Sequence, residues 1–243
     1  AYFVWFSYII KFCWSTRDFV SNIWRQVCIG SSAFVTELAM SVMMLTGNYV
    51  FMKYYGDAGV AAFSIACYLF PLIFMMSNAV AQSAQPIISY NYGAGATQRV
   101  SKTFRLSLCV ALLCGMLSCL SIALLAKPIV ALFIDPSCEA GVLASHGLPF
   151  YAPCALFFAV NISFIGFYQS IEAAAKAMFF TLLRGVIVLV PMFMFLPLVF
   201  TRFGAWCAIP ASEIVTLAAI VANYLYVKLR PNAVPTASRV VRR

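Results

Sequence analysis

The chain has 243 residues, of which 64% are hydrophobic and only 9% charged. A soluble domain carries roughly 25% charged residues, and no soluble fold of this length has a use for so much apolar surface, so composition defines an integral membrane protein. The formal charge of +9 does not indicate a nucleic-acid partner: the basic residues are scattered between apolar runs, where they report topology and contact with anionic headgroups.

The first element is an apolar, aromatic fragment, Ala1 to Phe12, bounded by Lys11 and Arg17. About 20 residues are needed to cross a bilayer, so this run is expected to be the end of a truncated transmembrane helix, with residues 1–26 forming that end and a cytoplasmic linker. Six full spans follow at 27–53, 59–84, 105–134, 147–170, 181–200 and 205–227. Turn and charge signals separate them: Tyr55-Gly-Asp-Ala-Gly59, the Gly93/Gly95 turn, Asp135-Pro136, the Glu172–Lys176 link and Arg202-Phe-Gly204. The third span holds Cys109, Cys114 and Cys119. None of the nine cysteines forms a Cys-x-x-Cys pair, so they read as small buried residues. Residues 27–228 are thus predicted to form an all-α, six-helix transmembrane lobe, and 229–243 a basic cytoplasmic tail.

Charge orients these spans. Thirteen of the sixteen basic residues fall on alternate connections, around Lys11, Arg99, Lys176 and Lys228, against Lys53, Lys127 and Arg202 on the other side. The positive-inside rule places the first set and the C-terminus in the cytoplasm.

Polar residues inside the spans carry the functional information. Glu37 lies within an apolar run, and a carboxylate at membrane depth costs a few kcal/mol on insertion scales, so it is expected to face the protein interior or a cavity. Helical steps place Ser41, Met44 and Asn48 on its face, a soft polar stripe suited to an amphipathic cation. In the second span Asn78, Gln82, Gln85 and Ser89 share a face, which serves equally as interhelical glue or as a transport path. The fourth span offers Asn161, Phe164 and Tyr168 on one stripe. Glu213, after Pro210, is read as nearer the outer third, with a structural or interfacial role. Arg184 is read as beginning the fifth span at the inner interface, snorkelling or meeting phosphate. His146 is the only histidine, and neither a catalytic set, a metal cluster nor a nucleotide fingerprint is present.

Several stretches resemble one known family. Gln85-Pro-Ile-Ile-Ser-Tyr-Asn-Tyr-Gly-Ala-Gly95 looks like the turn that follows the second helix of each half in multidrug and toxic compound extrusion (MATE) transporters. Ile29-Gly-Ser-Ser-Ala-Phe-Val-Thr-Glu37, Gly56-x-x-Gly-Val-Ala-Ala62, Phe167-Tyr-Gln-Ser170 with Leu183-Arg184, and Ile209-Pro-x-x-Glu213 are similar to the seventh, eighth, tenth-to-eleventh and twelfth helix regions of the family, in order. The wording is similar to the bacterial multidrug-exporter branch. The resemblance implies a twelve-helix transporter of two six-helix lobes, with this chain as the C-terminal lobe. It implies exchange of H⁺ or Na⁺ for amphipathic organic cations by alternating access, with no cofactor beyond the coupling ion. It implies a multi-pass location in the cell membrane beside an N-terminal lobe, and it makes Glu37 the candidate for cation or drug binding. Two departures stand out: the tenth-helix acid common in the sodium-coupled branch is replaced by Asn161 and Tyr168, and the N-lobe acid is not in this chain. A lipid-linked oligosaccharide flippase of the same superfamily is the alternative, but it would need mid-span basic residues, and none is expected here. A non-transporting fragment stays open, while a membrane-embedded enzyme is disfavoured by the single histidine.

Overall fold

A computed structural model describes residues 16–200 and 203–229. The expected helix end, Ala1 to Phe12, and all but the first residue of the expected tail 229–243 lie outside the described residues, while residues 16–26 of the expected linker are helical, the start of the first helix below. The described residues form helices: α1 (Thr16–Gly93), α2 (Thr97–Leu124), α3 (Ala126–Ala131), α4 (Glu139–Tyr151), α5 (Pro153–Ser170), α6 (Ala174–Leu182), a π-helical turn (Leu183–Ile187), α7 (Leu189–Phe200) and α8 (Gly204–Leu229).

Within α1 the stretch Glu37–Gly93, apolar enough to cross a membrane, alone covers 57 residues. Straight, it would reach roughly 85 Å, nearly three times a bilayer core of about 30 Å, so it cannot be one span. It breaks at Gly56, whose φ of 66° and ψ of −154° suit a residue without Cβ. The arms 16–55 and 57–93 fold back on each other. The rings of Phe51 and Phe63 stack at 4.5 Å, and the missing side chain of Gly47 leaves room for the tip of Phe63. The first two predicted spans are therefore the arms of an antiparallel hairpin. With α2, α4–α5, α6–α7 and α8 they make six crossings, an all-helical membrane lobe.

Several helix ends differ from the predicted spans. α2 begins at Thr97, so Arg105 lies inside it, and it stops at Leu124 before the short α3. The fourth crossing opens early, at Glu139, where Gly141 N–H donates to Cys138 Sγ at 3.3 Å. Hydropathy misses such ends because a helix continues past the apolar run wherever capping and tertiary packing hold its backbone.

α5 is the central helix, buried on nearly all sides and packed against α1, α2, α6 and α8. Its small residues permit this: Gly115 of α2 meets the α5 backbone at Leu156 and Ala155 so closely that an added Cβ would lie 3.0 Å from Leu156 Cα. By contrast Leu106, Leu113, Leu117, Leu120 and Leu124 line an exposed apolar stripe on α2. The core falls into two apolar clusters. One gathers Phe51, Phe63, Phe158, Phe193 and Trp206, and the other gathers Ile88, Phe104, Phe164, Tyr168 and Phe180.

Candidate functional site

Two polar features occupy the region between these clusters. The first is a cleft of about 420 Å³. Glu37 enters it from the first arm of α1, and Phe74, Asn78, Gln82 and Gln85 come from the second. Ile162, Gly166 and Gln169 come from α5 and Thr181 from α6. The hairpin explains the meeting of Glu37 and Asn78, because they lie at nearly equal distances from the Gly56 bend. The α5 residues recur at i, i+4 and i+7, one helical face. Across the cleft Gln85 Nε2 donates to Gln169 Oε1 at 2.9 Å, and below it Ser89 Oγ donates to the Ser170 carbonyl at 3.1 Å. Among the described residues, Glu37 is the sole charged side chain lining the cleft, and it is exposed there. A carboxylate among amides, a ring and aliphatic side chains can accept a cation while the apolar wall covers its organic part.

The second feature is a buried ion pair. Arg184 Nη1 donates to Glu213 Oε1 at 3.0 Å, with the side chains 3% and 5% exposed. Asn161 Nδ2 donates to Glu213 Oε2 at 2.8 Å and to the Glu213 carbonyl at 2.9 Å. The Phe158 ring centroid lies 4.3 Å from Arg184 Cζ, cation–π contact. Each partner stands where its helix passes from one apolar cluster to the other: Asn161 between Phe158 and Phe164, Arg184 between Phe180 and Leu189, Glu213 between Ile209 and Ile220. The polar node is thus a layer across the waist of the lobe.

Four expectations need correcting. Arg184 is not an interfacial snorkel: it lies near the middle of the Ala174–Phe200 span, buried on Glu213. Glu213 is not near the outer third but near the middle of Gly204–Tyr226, and of the two roles expected for it, structural or interfacial, its burial in the ion pair fits the structural one. A basic residue therefore does stand mid-span, although its charge is taken up by Glu213 and it does not line the cleft. The polar stripes divide as well. Of the Glu37 stripe only Glu37 lines the cleft; Ser41 Oγ donates to the Glu37 carbonyl, Met44 packs on the apolar core, and Asn48 is half-buried. Asn161 and Tyr168 turn from the cleft toward α8, where Tyr168 O–H donates to Asn223 Oδ1 at 3.3 Å. Asn78 and Gln82 do line the cleft. Gln169 and Thr181 were not singled out from sequence, although the one-face spacing of Ile162, Gly166 and Gln169 was readable there.

A multi-span helical lobe holding a polar, acid-bearing cleft between its helices has the build of a membrane transporter's half. Residues 32–194 match the MatE family model, and the chain belongs to that family of transporters. No curated protein matches the sequence. The fold is shared with a MOP superfamily transporter from Pyrococcus furiosus, whose binding pocket has reverse polarity (TM-score 0.79, 17% identity, 94% of this chain and 52% of that one). It is also shared with a multidrug resistance MATE transporter in an outward-facing conformation (TM-score 0.76, 19% identity, 90% and 48%). An inward-facing MATE transporter matches equally (TM-score 0.76, 17% identity, 90% and 50%). The chain spans about half the length of these structures.

Proposed function

We propose that this chain is the C-terminal lobe of a multidrug antiporter that exports amphipathic organic cations from the cell by alternating access, driven by H⁺ or Na⁺. The observation that carries the reading is the cleft in which Glu37 is the sole charged group among the described lining residues. A cationic drug pairs its charge with the Glu37 carboxylate and lays its apolar body against Phe74, Ile162 and Ile165. A proton or sodium ion competes for the same oxygens, so loading the ion releases the drug. The lobe fold recurs in outward-facing and inward-facing MATE transporters. This supports motion of the lobe as a unit against a second one.

The test is efflux of a fluorescent cation by the full-length transporter, with pH and sodium gradients imposed separately. Glu37→Gln removes the charge and keeps the shape, and the loss of a charge-assisted contact is expected to lower efflux about tenfold or more. Normal export by this variant sinks the proposal.

A further inference from the structure

Glu37 and Glu213 are acids set among apolar runs of the spans, and their circumstances are opposite. Glu37 is exposed in the cleft without a cationic neighbour among its lining residues. Glu213 is sealed, and both its oxygens are engaged, Oε1 by Arg184 and Oε2 by Asn161. We propose that Glu213 and Asn161 form a monovalent-cation site inside the lobe, and that its resident cation is the guanidinium of Arg184, tethered there so that ions from solution are kept out.

The surroundings of Arg184 are those of a bound cation. A carboxylate faces one edge of the guanidinium, and the Phe158 ring lies against it at 4.3 Å, the pairing by which proteins receive organic cations. The side chain is delivered by the π-helical turn Leu183–Ile187, a local widening that re-aims side chains and recurs at functional sites. Stability alone does not account for the node. A buried ion pair is often matched or bettered by apolar packing, and Arg184 Nε and Asn161 Oδ1 are buried here without a hydrogen-bond partner. The node also adjoins the cleft without opening into it. Thr181, one turn before Arg184, lines the cleft, and Gly185, next to Arg184, packs on Ala39 two residues past Glu37. The tethered cation thus satisfies the inner acid and leaves Glu37 as the exchangeable one. This assignment concerns occupancy of Glu213 and stands apart from what the lobe transports.

Melting of the purified full-length protein tests it. Arg184→Ala vacates the site, and millimolar guanidinium is expected to raise the melting temperature of this variant by about 3 °C or more. The wild type and Arg184→Ala/Glu213→Gln should show no such rise. Equal shifts in all three proteins, or none in R184A, overturn the assignment. The sodium comparison needs only the wild type and Arg184→Met/Glu213→Gln, so it decides the matter even where R184A does not survive purification. Replacing potassium by sodium should shift both proteins alike. A sodium-dependent rise present in the wild type and lost in the paired variant would show that Glu213 takes its cation from solution.

Discussion

Both amide protons of Asn161 go to Glu213, one to its carbonyl and one to Oε2. Asn161 is fully buried, so neither bond competes with water. A hydrogen bond to a charged acceptor is worth about 1.5–3 kcal/mol net. Asn161→Ala leaves the carboxylate with Arg184 alone, and the melting temperature should fall by at least about 3 °C. Asn161→Asp should fall further, because it sets a second carboxylate against the first. Tyr168 gives the contrast: its bond to Asn223 is longer, at 3.3 Å, and its ring stacks on Phe180 with or without the hydroxyl. Tyr168→Phe is accordingly expected to cost about 1 kcal/mol or less. An N161A protein melting with the wild type, or a Y168F protein falling as far as N161A, would contradict this ranking.

At the scale of elements, the π-helical turn joins the two polar features through one close approach. A Cβ built on Gly185 would overlap the Cβ of Ala39, so the turn and the first arm of α1 meet backbone to backbone. Gly185→Ala forces them apart, at a cost of about 1–3 kcal/mol, and moves the segment that carries Glu37. The melting temperature should drop by about 2 °C or more, and Gly185→Ala/Ala39→Gly should recover most of the loss. A double variant no better than G185A would mean that the strain lies elsewhere. The crossings were legible in the sequence because each is an apolar run bounded by Gly, Pro or charge, and Gly56 falls within the separator read there. The cleft was half legible, since Glu37, Asn78 and Gln82 stand out as polar residues in apolar runs. The ion pair was not. Arg184 and Glu213 are 29 residues apart on different helices, and helical spacing relates only residues within one helix. Arg184 also follows Lys176 closely enough to be counted with the inner charges. The available signal was that charges inside a membrane pair with one another, which makes a lone mid-span acid a reason to look for a lone mid-span base.

At the scale of the whole molecule, the fold sorts the connections into two ends. The Gly56 bend, the start of α4 and the α7–α8 link meet at one end, where Tyr54, Tyr55, Glu139, His146 and Phe203 line a pocket of about 1100 Å³. The α1–α2 turn and the α5–α6 link meet at the other, held by the bond from Ser89 to Ser170. The first end carries Lys53 and Lys127, and the second carries Arg99, Lys102 and Lys176. Charge bias therefore proposes that the second end is cytoplasmic. Cys138 allows a direct check, because it is exposed in the connection between α3 and α4 at the first end. With the other cysteines replaced, a membrane-impermeant maleimide should label Cys138 in intact cells. Ser101→Cys, on the exposed first turns of α2, should label only after the cells are opened. The same pattern in reverse would invert the lobe and place the proposed Glu37 loading on the outer side, which contradicts the proposed export.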